Sequence, residues 1–315
     1  MPSLLEVQTL IEKRQLRWTA GENEIGQLIA HRSFTGLGLA PSPRPRAKVA
    51  PTAIAQAAGS AIQLPKKHDW RTTSFGSFVT PVRHQLHCGS CVAFAVVAAM
   101  ESALLIKESA IGDASLDLSE AHLFYCGTGS SCDKGWTYPK AFKRARKPGV
   151  GLESGFPYNP DSPACIEIPA VARVSASDNL VTDFERKFAL VNVGPVLAGM
   201  TVYEDFGWYT GGLYTPSTST SLGGHAVCVV GYDDDEGAWI VKNSWGTSWG
   251  EAGYARIAYG TSGIDIREWH SIRVSEVCTS ANPARLHGGS CVRRADLRAE
   301  DIVAALARAQ QPEVV

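Results

Sequence analysis

Cys91 lies in the segment Gln85-Leu86-His87-Cys88-Gly89-Ser90-Cys91-Val92-Ala93-Phe94, where a glycine-containing turn gives way to an apolar run. A cysteine that opens a helix faces unpaired backbone N–H groups and the positive end of the helix dipole. Both favour the thiolate, which is the nucleophilic form. Gln85, upstream, carries an amide that could donate to a developing oxyanion. A thiolate also needs a cationic partner that can give up a proton. His225 is the strongest of the eight histidines for this role, because it follows Gly223-Gly224 and opens an alternating strand. Asn243 falls across the expected hairpin from it, and an amide carbonyl accepting the imidazole N–H would fix the ring without adding a third charge. Trp245 and Trp249 flank that strand end and could shield the His–Asn hydrogen bond from water.

Two other chemistries share some of these residues. His84-x-x-His87 beside Cys88-x-x-Cys91 has metal-ligand spacing, and the two cysteines could form a redox pair. Neither gives the downstream histidine, asparagine and tryptophans a role. Cys228 reads as a buried strand residue, and Asp233 to Glu236 as a solvated turn.

The pattern around these residues indicates what positions them. Residues 91–107 are apolar on nearly all sides until Glu101, as expected of a helix buried in a core. Past about Leu180 the signal changes to strands. His225 to Tyr232 alternates and is rich in valine, Ala238 to Lys242 reads as the returning strand, and Gly253 to Tyr259 as another. Helices first and strands later indicate an α+β fold or two packed subdomains. At the N-terminus Ser3 and Glu6 form a capping box, Leu4, Val7 and Ile11 share a helical face, and Gly21 is expected to end that helix. A second apolar set, Ile25, Leu28 and Ile29, precedes Gly36 and Gly38. Ala40 to about Gln63, with four prolines between Pro41 and Pro51, reads as an exposed linker open to proteolysis. Leu297, Ile302, Val303 and Leu306 suggest a C-terminal helix.

Composition narrows the function. The 315 residues are 44% hydrophobic with a formal net charge of -1, which excludes global disorder and argues against a general nucleic-acid binder. The longest apolar run, residues 91–100, is about half a membrane span. Met1 to Leu16 lacks the uninterrupted apolar stretch of a secretory leader. Five of the eight cysteines lie between 88 and 165, hinting at a stapled or metal-bearing region.

Cys-Gly-Ser-Cys ending at Cys91, Gly-Gly-His-Ala around His225, and Lys-Asn-Ser-Trp-Gly from Lys242 resemble the papain-like cysteine peptidases in order and separation. Leu64-Pro65 with Asp69-Trp70-Arg71 is similar to the start of the mature enzymes, and Leu118-Ser119-Glu120 to the segment before their next cysteines. The resemblance covers about residues 64 to 276. It implies a helical left subdomain, about 80–175, and an antiparallel, β-barrel-like right subdomain, about 176–276, with the active-site cleft between them. It also implies a cysteine endopeptidase with Cys91 as nucleophile, His225 as acid/base, Asn243 as orienting amide and Gln85 as oxyanion donor, needing no metal or cofactor. Gly135 matches the glycine whose backbone pairs with substrate, Trp136, Val196 and Ala226 fall near the pocket for the side chain two residues before the cut, and Trp245 flanks the site. Cys88–Cys132 and Cys126–Cys165 match two family disulfides, while Cys278 and Cys291 could pair in a C-terminal extension, residues 277–315.

There are departures. Val92 replaces the usual aromatic residue, Leu86 stands where glycine is usual, and no His-His loop of the cathepsin B kind is inserted, which favours endopeptidase action. Residues 1–63 resemble a short propeptide, with Trp18 to Asn23 similar to a stretch in cathepsin B-like prosegments. Such a segment would block the cleft as an intramolecular inhibitor. The expected partners are therefore a peptide or protein substrate and the chain's own N-terminal segment. Disulfides would favour secretion or the periplasm. The competing readings are a peptide ligase with the same Cys–His chemistry and a non-catalytic peptidase-like binding module.

Overall fold

The computed structural model describes residues 1–41, 63–110, 116–127 and 131–277, and Met1–Val277 form one compact unit. Nearly all of the expected linker, the Cys278–Cys291 pairing and the C-terminal helix fall outside the described residues.

Helix α1 (Leu4–Arg14) begins as the sequence indicates: Ser3 Oγ accepts from Glu6 N–H, and the Glu6 carboxylate accepts from Ser3 N–H. It ends earlier than expected. Gln15 takes the left-handed conformation at φ 52°, and Trp18–Ala20 then form strand β1, so Gly21 is not the stop. The helix gives way because Trp18 is buried against Tyr209 and Tyr214. Helix α2 (Glu24–Ala30) follows, capped by Asn23, and β2 (Lys67–Asp69) comes after the undescribed stretch.

Helix α3 (Cys91–Glu108) is the central element. Ala93, Ala95, Ala98 and Ala99 favour helix intrinsically and are small enough for a sheet to approach closely. The helix packs on β6 (Ser221–Asp233) and β9 (Trp269–Glu276). Its burial runs through Glu101 rather than stopping there. Helices α4 (Glu120–Tyr125) and α5 (Tyr138–Arg146) complete the helical region. Disulfides Cys88–Cys132 and Cys126–Cys165 hold the loops around it.

The remaining strands are β3 (Ala172–Asn179), β4 (Val196–Tyr203), β5 (Tyr209–Tyr214), β7 (Ala238–Lys242) and β8 (Tyr254–Ala258). Two boundaries differ from the sequence reading. β3 begins inside the stretch expected to be helical, and helix α6 (Asp183–Asn192) interrupts the stretch expected to be strands. Thr182 and Glu185 cap α6 reciprocally, a signature present in the sequence. The strand order is β1-β5-β8-β7-β6-β4-β9-β3, with β2 also paired to β6. The sheet is therefore open, with β1 and β3 at its ends, and not barrel-like. Nor is it wholly antiparallel, since β5 and β8 run parallel. The α+β composition stands.

One aromatic core cluster unites Phe206, Tyr214, Trp239, Trp245, Trp249 and Trp269, and Val7, Trp18, Ile25 and Ile29 of the N-terminal segment belong to the same cluster. Each of those four buried side chains contributes roughly 1.5–3 kcal/mol to the docking of that segment. β1 seals the edge by pairing antiparallel with β5.

Candidate active site

Cys91 is the first residue of α3, fully buried, and Ala226 N–H donates to its Sγ at 3.4 Å. Ala226 is the residue after His225 on β6, so helix and sheet meet at the sulfur. Burial pushes the thiol up to about 11, against the opposing pull of the Ala226 and Gly38 N–H groups.

His225 is also fully buried. Its Nε2 donates to Asn243 Oδ1 at 2.8 Å, which leaves Nδ1 as the basic nitrogen. Nδ1 has no hydrogen-bond partner among the described residues. Burial lowers the imidazole to about 4, although the Asn243 hydrogen bond pulls the other way. The antiparallel pairing of β6 with β7 explains why residues 18 apart meet. Asn243 is itself held, its Oδ1 accepting Ser244 N–H at 2.8 Å. The Trp245 ring lies 4.9 Å from the imidazole, centroid to centroid.

Gln85 is fixed at both ends. Its Oε1 accepts from Ser244 Oγ at 2.6 Å, and its Nε2 donates to Cys88 O at 2.7 Å and to Gly36 O at 2.8 Å. Gly36 belongs to the N-terminal segment, so that segment's carbonyl already occupies the amide expected to hold an oxyanion. The segment stays in contact from there on. Thr35 Oγ1 donates to His87 O, and Phe34 packs edge-on against Trp245 at 5.1 Å. Gly38 has no room for a side chain, since a Cβ would stand 1.8 Å from Gly89 O.

Gly135 lies at the segment's crossing point, where a Cβ would meet Gly38 O at 2.2 Å. The backbone pairing itself runs through the next residue: Trp136 N–H donates to Gly38 O at 2.7 Å, and Trp136 O accepts from Ala40 N–H at 2.9 Å. Trp136 acts here through its backbone, while its ring packs against Phe124. Val196 is not in the groove. It belongs to the aromatic core cluster together with Ala198 and Met200, on the face of β4 opposite Gly199, which sits across from Ala226 and against Leu39. The alternation of a strand separates the two faces, and an offset of three residues exchanges them.

Behind Asn243 and Ser244 lies a charged cluster that the sequence reading did not single out. Lys242 Nζ donates to Thr80 Oγ1 at 3.0 Å, and Thr80 Oγ1 donates to the Glu101 carboxylate, which also accepts Leu118 N–H at 2.8 Å. Burial raises Glu101 to about 7, with Lys242 opposing. Nearby Glu120 is held well above the carboxylate range by burial and by Glu101 and Glu153. The signal available was a glutamate one helical turn beyond an otherwise apolar face.

Among the described residues, His122, Cys126 and Glu167 are near enough to share a metal ion, but Cys126 is in a disulfide and Arg144 donates to both His122 and Glu167. The disfavoured alternative of a metal or redox site at His84, His87, Cys88 and Cys91 has no support either, because Cys88 is bonded to Cys132.

A buried cysteine at a helix start, an imidazole oriented by an amide, and a glutamine amide nearby make up the equipment of a thiol hydrolase. The family model described as papain family cysteine protease matches residues 64–274, and the chain belongs to that family. Among curated proteins it is 33% identical to fruit bromelain of Ananas comosus over 205 residues, covering 63% of this chain and 56% of that one. It is 32% identical to cathepsin K of Gallus gallus over 237 residues, covering 72% and 67%. The gamete and mating-type specific protein A of Dictyostelium discoideum is 35% identical over 203 residues, covering 64% and 45%. The chain thus spans about half the length of several of these relatives. Among solved structures, digestive procathepsin L2 from the larval midgut of Tenebrio molitor superposes with a TM-score of 0.70 at 26% identity, covering 86% of this chain and 88% of that one. The recombinant stem bromelain precursor gives 0.67 at 27%, covering 85% and 87%. Both coverages extend beyond the family-model match.

Proposed function

We propose that the chain is a self-blocked cysteine endopeptidase, with residues 1–63 as the inhibitory segment and linker and 64–276 as the peptidase. The observation that carries this reading is the run Gly36–Leu39, which places a carbonyl on Gln85 and an N–H on the Cys91 sulfur while the site is otherwise complete. Once the segment leaves, water reaches Cys91 and His225, and proton transfer from thiol to Nδ1 gives a thiolate–imidazolium pair. The thiolate attacks the peptide carbonyl. Gln85 Nε2 and the Cys91 N–H stabilise the oxyanion, and His225 protonates the leaving amine. Water, deprotonated by His225, then resolves the thioester. Asn243 keeps Nε2 protonated and the ring in place throughout.

Two forms of the full-length chain test this. Wild type and Cys91→Ala are incubated with reductant at mildly acid and neutral pH, and their N-termini and turnover of a protein substrate are followed. Loss of residues before about Leu64 together with turnover, in wild type only, is the expected result. Absence of turnover from trimmed wild type would contradict the reading.

A further inference from the structure

Leu39 follows the glycine that covers Cys91, and it is 7% exposed. Its N–H donates to Gly224 O at 3.2 Å, and it bridges in parallel to Trp136. Its side chain lies over two glycines on adjacent strands. A Cβ at Gly199 would meet Leu39 Cδ2 at 2.7 Å, with Arg267 Cβ and Cδ at 3.3 and 3.5 Å. A Cβ at Gly224 would meet Leu39 Cβ and Arg267 Nη1, both at 3.4 Å. The absent side chains open a recess on the sheet, and Arg267 forms one wall of it.

The guanidinium is anchored but not neutralised. Its Nε and Nη2 donate to Thr201 Oγ1 at 3.0 and 2.9 Å. Thr201 pairs with Gly224 across β4 and β6, so this bond holds the positive charge at the recess. The neighbouring carboxylate, Glu268, turns instead to His270 at 3.5 Å, and among the described residues Arg267 has no ion-pair partner. Nη1 remains available to whatever side chain enters.

We propose that Arg267 is a specificity-determining residue, making the subsite that Leu39 fills accept aliphatic and acidic side chains and reject basic ones. This rests on the endopeptidase reading for its relevance to substrates. A substrate leucine repeats the contacts of Leu39. A glutamate reaches one bond further and brings its carboxylate to the unpaired guanidinium, while a lysine or arginine sets like charges together in a partly water-excluded groove.

The full-length chain provides a test that needs no turnover. Leu39→Glu and Leu39→Lys are compared by the rate at which iodoacetamide alkylates Cys91, which reports how often the segment lifts. The lysine variant is expected to react about tenfold faster than the glutamate variant. Arg267→Glu should reverse that order, and Arg267→Gln, which keeps the polar stem, should erase it. Equal rates for the two Leu39 variants, or an order unaffected by Arg267, would overturn the proposal. Processed enzyme is then assayed on peptides differing only in Leu, Glu or Lys two residues before the cut. The same ranking in kcat/KM is expected, and a lysine preference would overturn the proposal. Failure of all three peptides while the Leu39 order holds would instead count against the endopeptidase reading.

Discussion

Helix α3 and the β6–β7 hairpin bring together two ionisable pairs, and burial treats them differently. Cys91 lies against Ala226, the residue after His225, at the groove. Glu101 and Lys242 are joined through Thr80 behind it, at the neighbour of Asn243. In the first pair the thiol is pushed up to about 11 and the imidazole down to about 4, so both are neutral across the ordinary pH range. In the second, Thr80 and the Leu118 N–H supply bonds, and Lys242 opposes the rise of Glu101. The difference lies in what covers each pair. The rear pair is enclosed by fixed core and comes with its own hydrogen-bond partners. The front pair is enclosed by the N-terminal segment that we propose is removed, and its imidazole Nδ1 has no partner among the described residues. Burial drives both pairs towards neutrality, and a nearby cation limits that effect only in the rear pair.

Breaking the rear pair is expected to have the largest effect on stability. Lys242→Met leaves Glu101 enclosed without its cation and should lower unfolding free energy by about 3 kcal/mol in denaturant titration at neutral pH. The loss should grow as pH rises above 7 and shrink below it, because removing Lys242 lifts the carboxyl further above about 7 and in acid both forms are protonated. A loss of under about 0.5 kcal/mol would show that Thr80 and Leu118 suffice.

Removing the base of the front pair comes next. Covered, the pair holds one proton, on the thiol, because burial sets the thiol at about 11 and the imidazole at about 4. Uncovered, the thiolate–imidazolium pair also holds one, so the segment gains no net proton as it lifts and its hold should not change with pH in this range. The Cys91 alkylation rate of the full-length chain should therefore stay within about threefold from pH 7 to pH 5.5. His225→Gln, which leaves no base to take the thiol proton, should lower that rate about tenfold at pH 7.

The smallest effect concerns the loop leading to Cys91. Leu86 sits at φ 53°, exposed, with its N–H donating to His84 Nδ1. Leu86→Gly should remove a left-handed strain of about 1 kcal/mol, partly offset by the greater entropy of the unfolded chain, and raise the Tm by a few degrees at most. A fall in Tm would show that the leucine side chain carries packing energy there.

Much of this was legible in the sequence because the signals were local. The capping box of α1, the alternation from His225, the acidic turn after Tyr232 and the apolar stretch of α3 each state a short-range preference that the fold respects. Cys91, His225, Asn243 and Gln85 could be singled out because their chemistry and order are distinctive. What escaped depends on long-range pairing. Strand β1 exists because β5 offers it an edge, so Trp18–Ala20 give little strand signal of their own. The opening of the sheet depends on which strands neighbour one another. Val196 and Gly199 lie on the same strand, and only the observed register tells which faces the groove. Arg267 carried no motif at all, and its importance comes from two glycines distant in sequence.

The central claim is that the N-terminal segment keeps Cys91 neutral by covering it. Iodoacetamide alkylation of Cys91, located by peptide mapping to separate it from buried Cys228, should be measured at pH 6 in the full-length chain and in the chain cleaved within 41–63 and freed of its segment. The freed form should react at least about a hundredfold faster, as a thiolate paired with imidazolium does. Equal rates in the two forms would contradict the account.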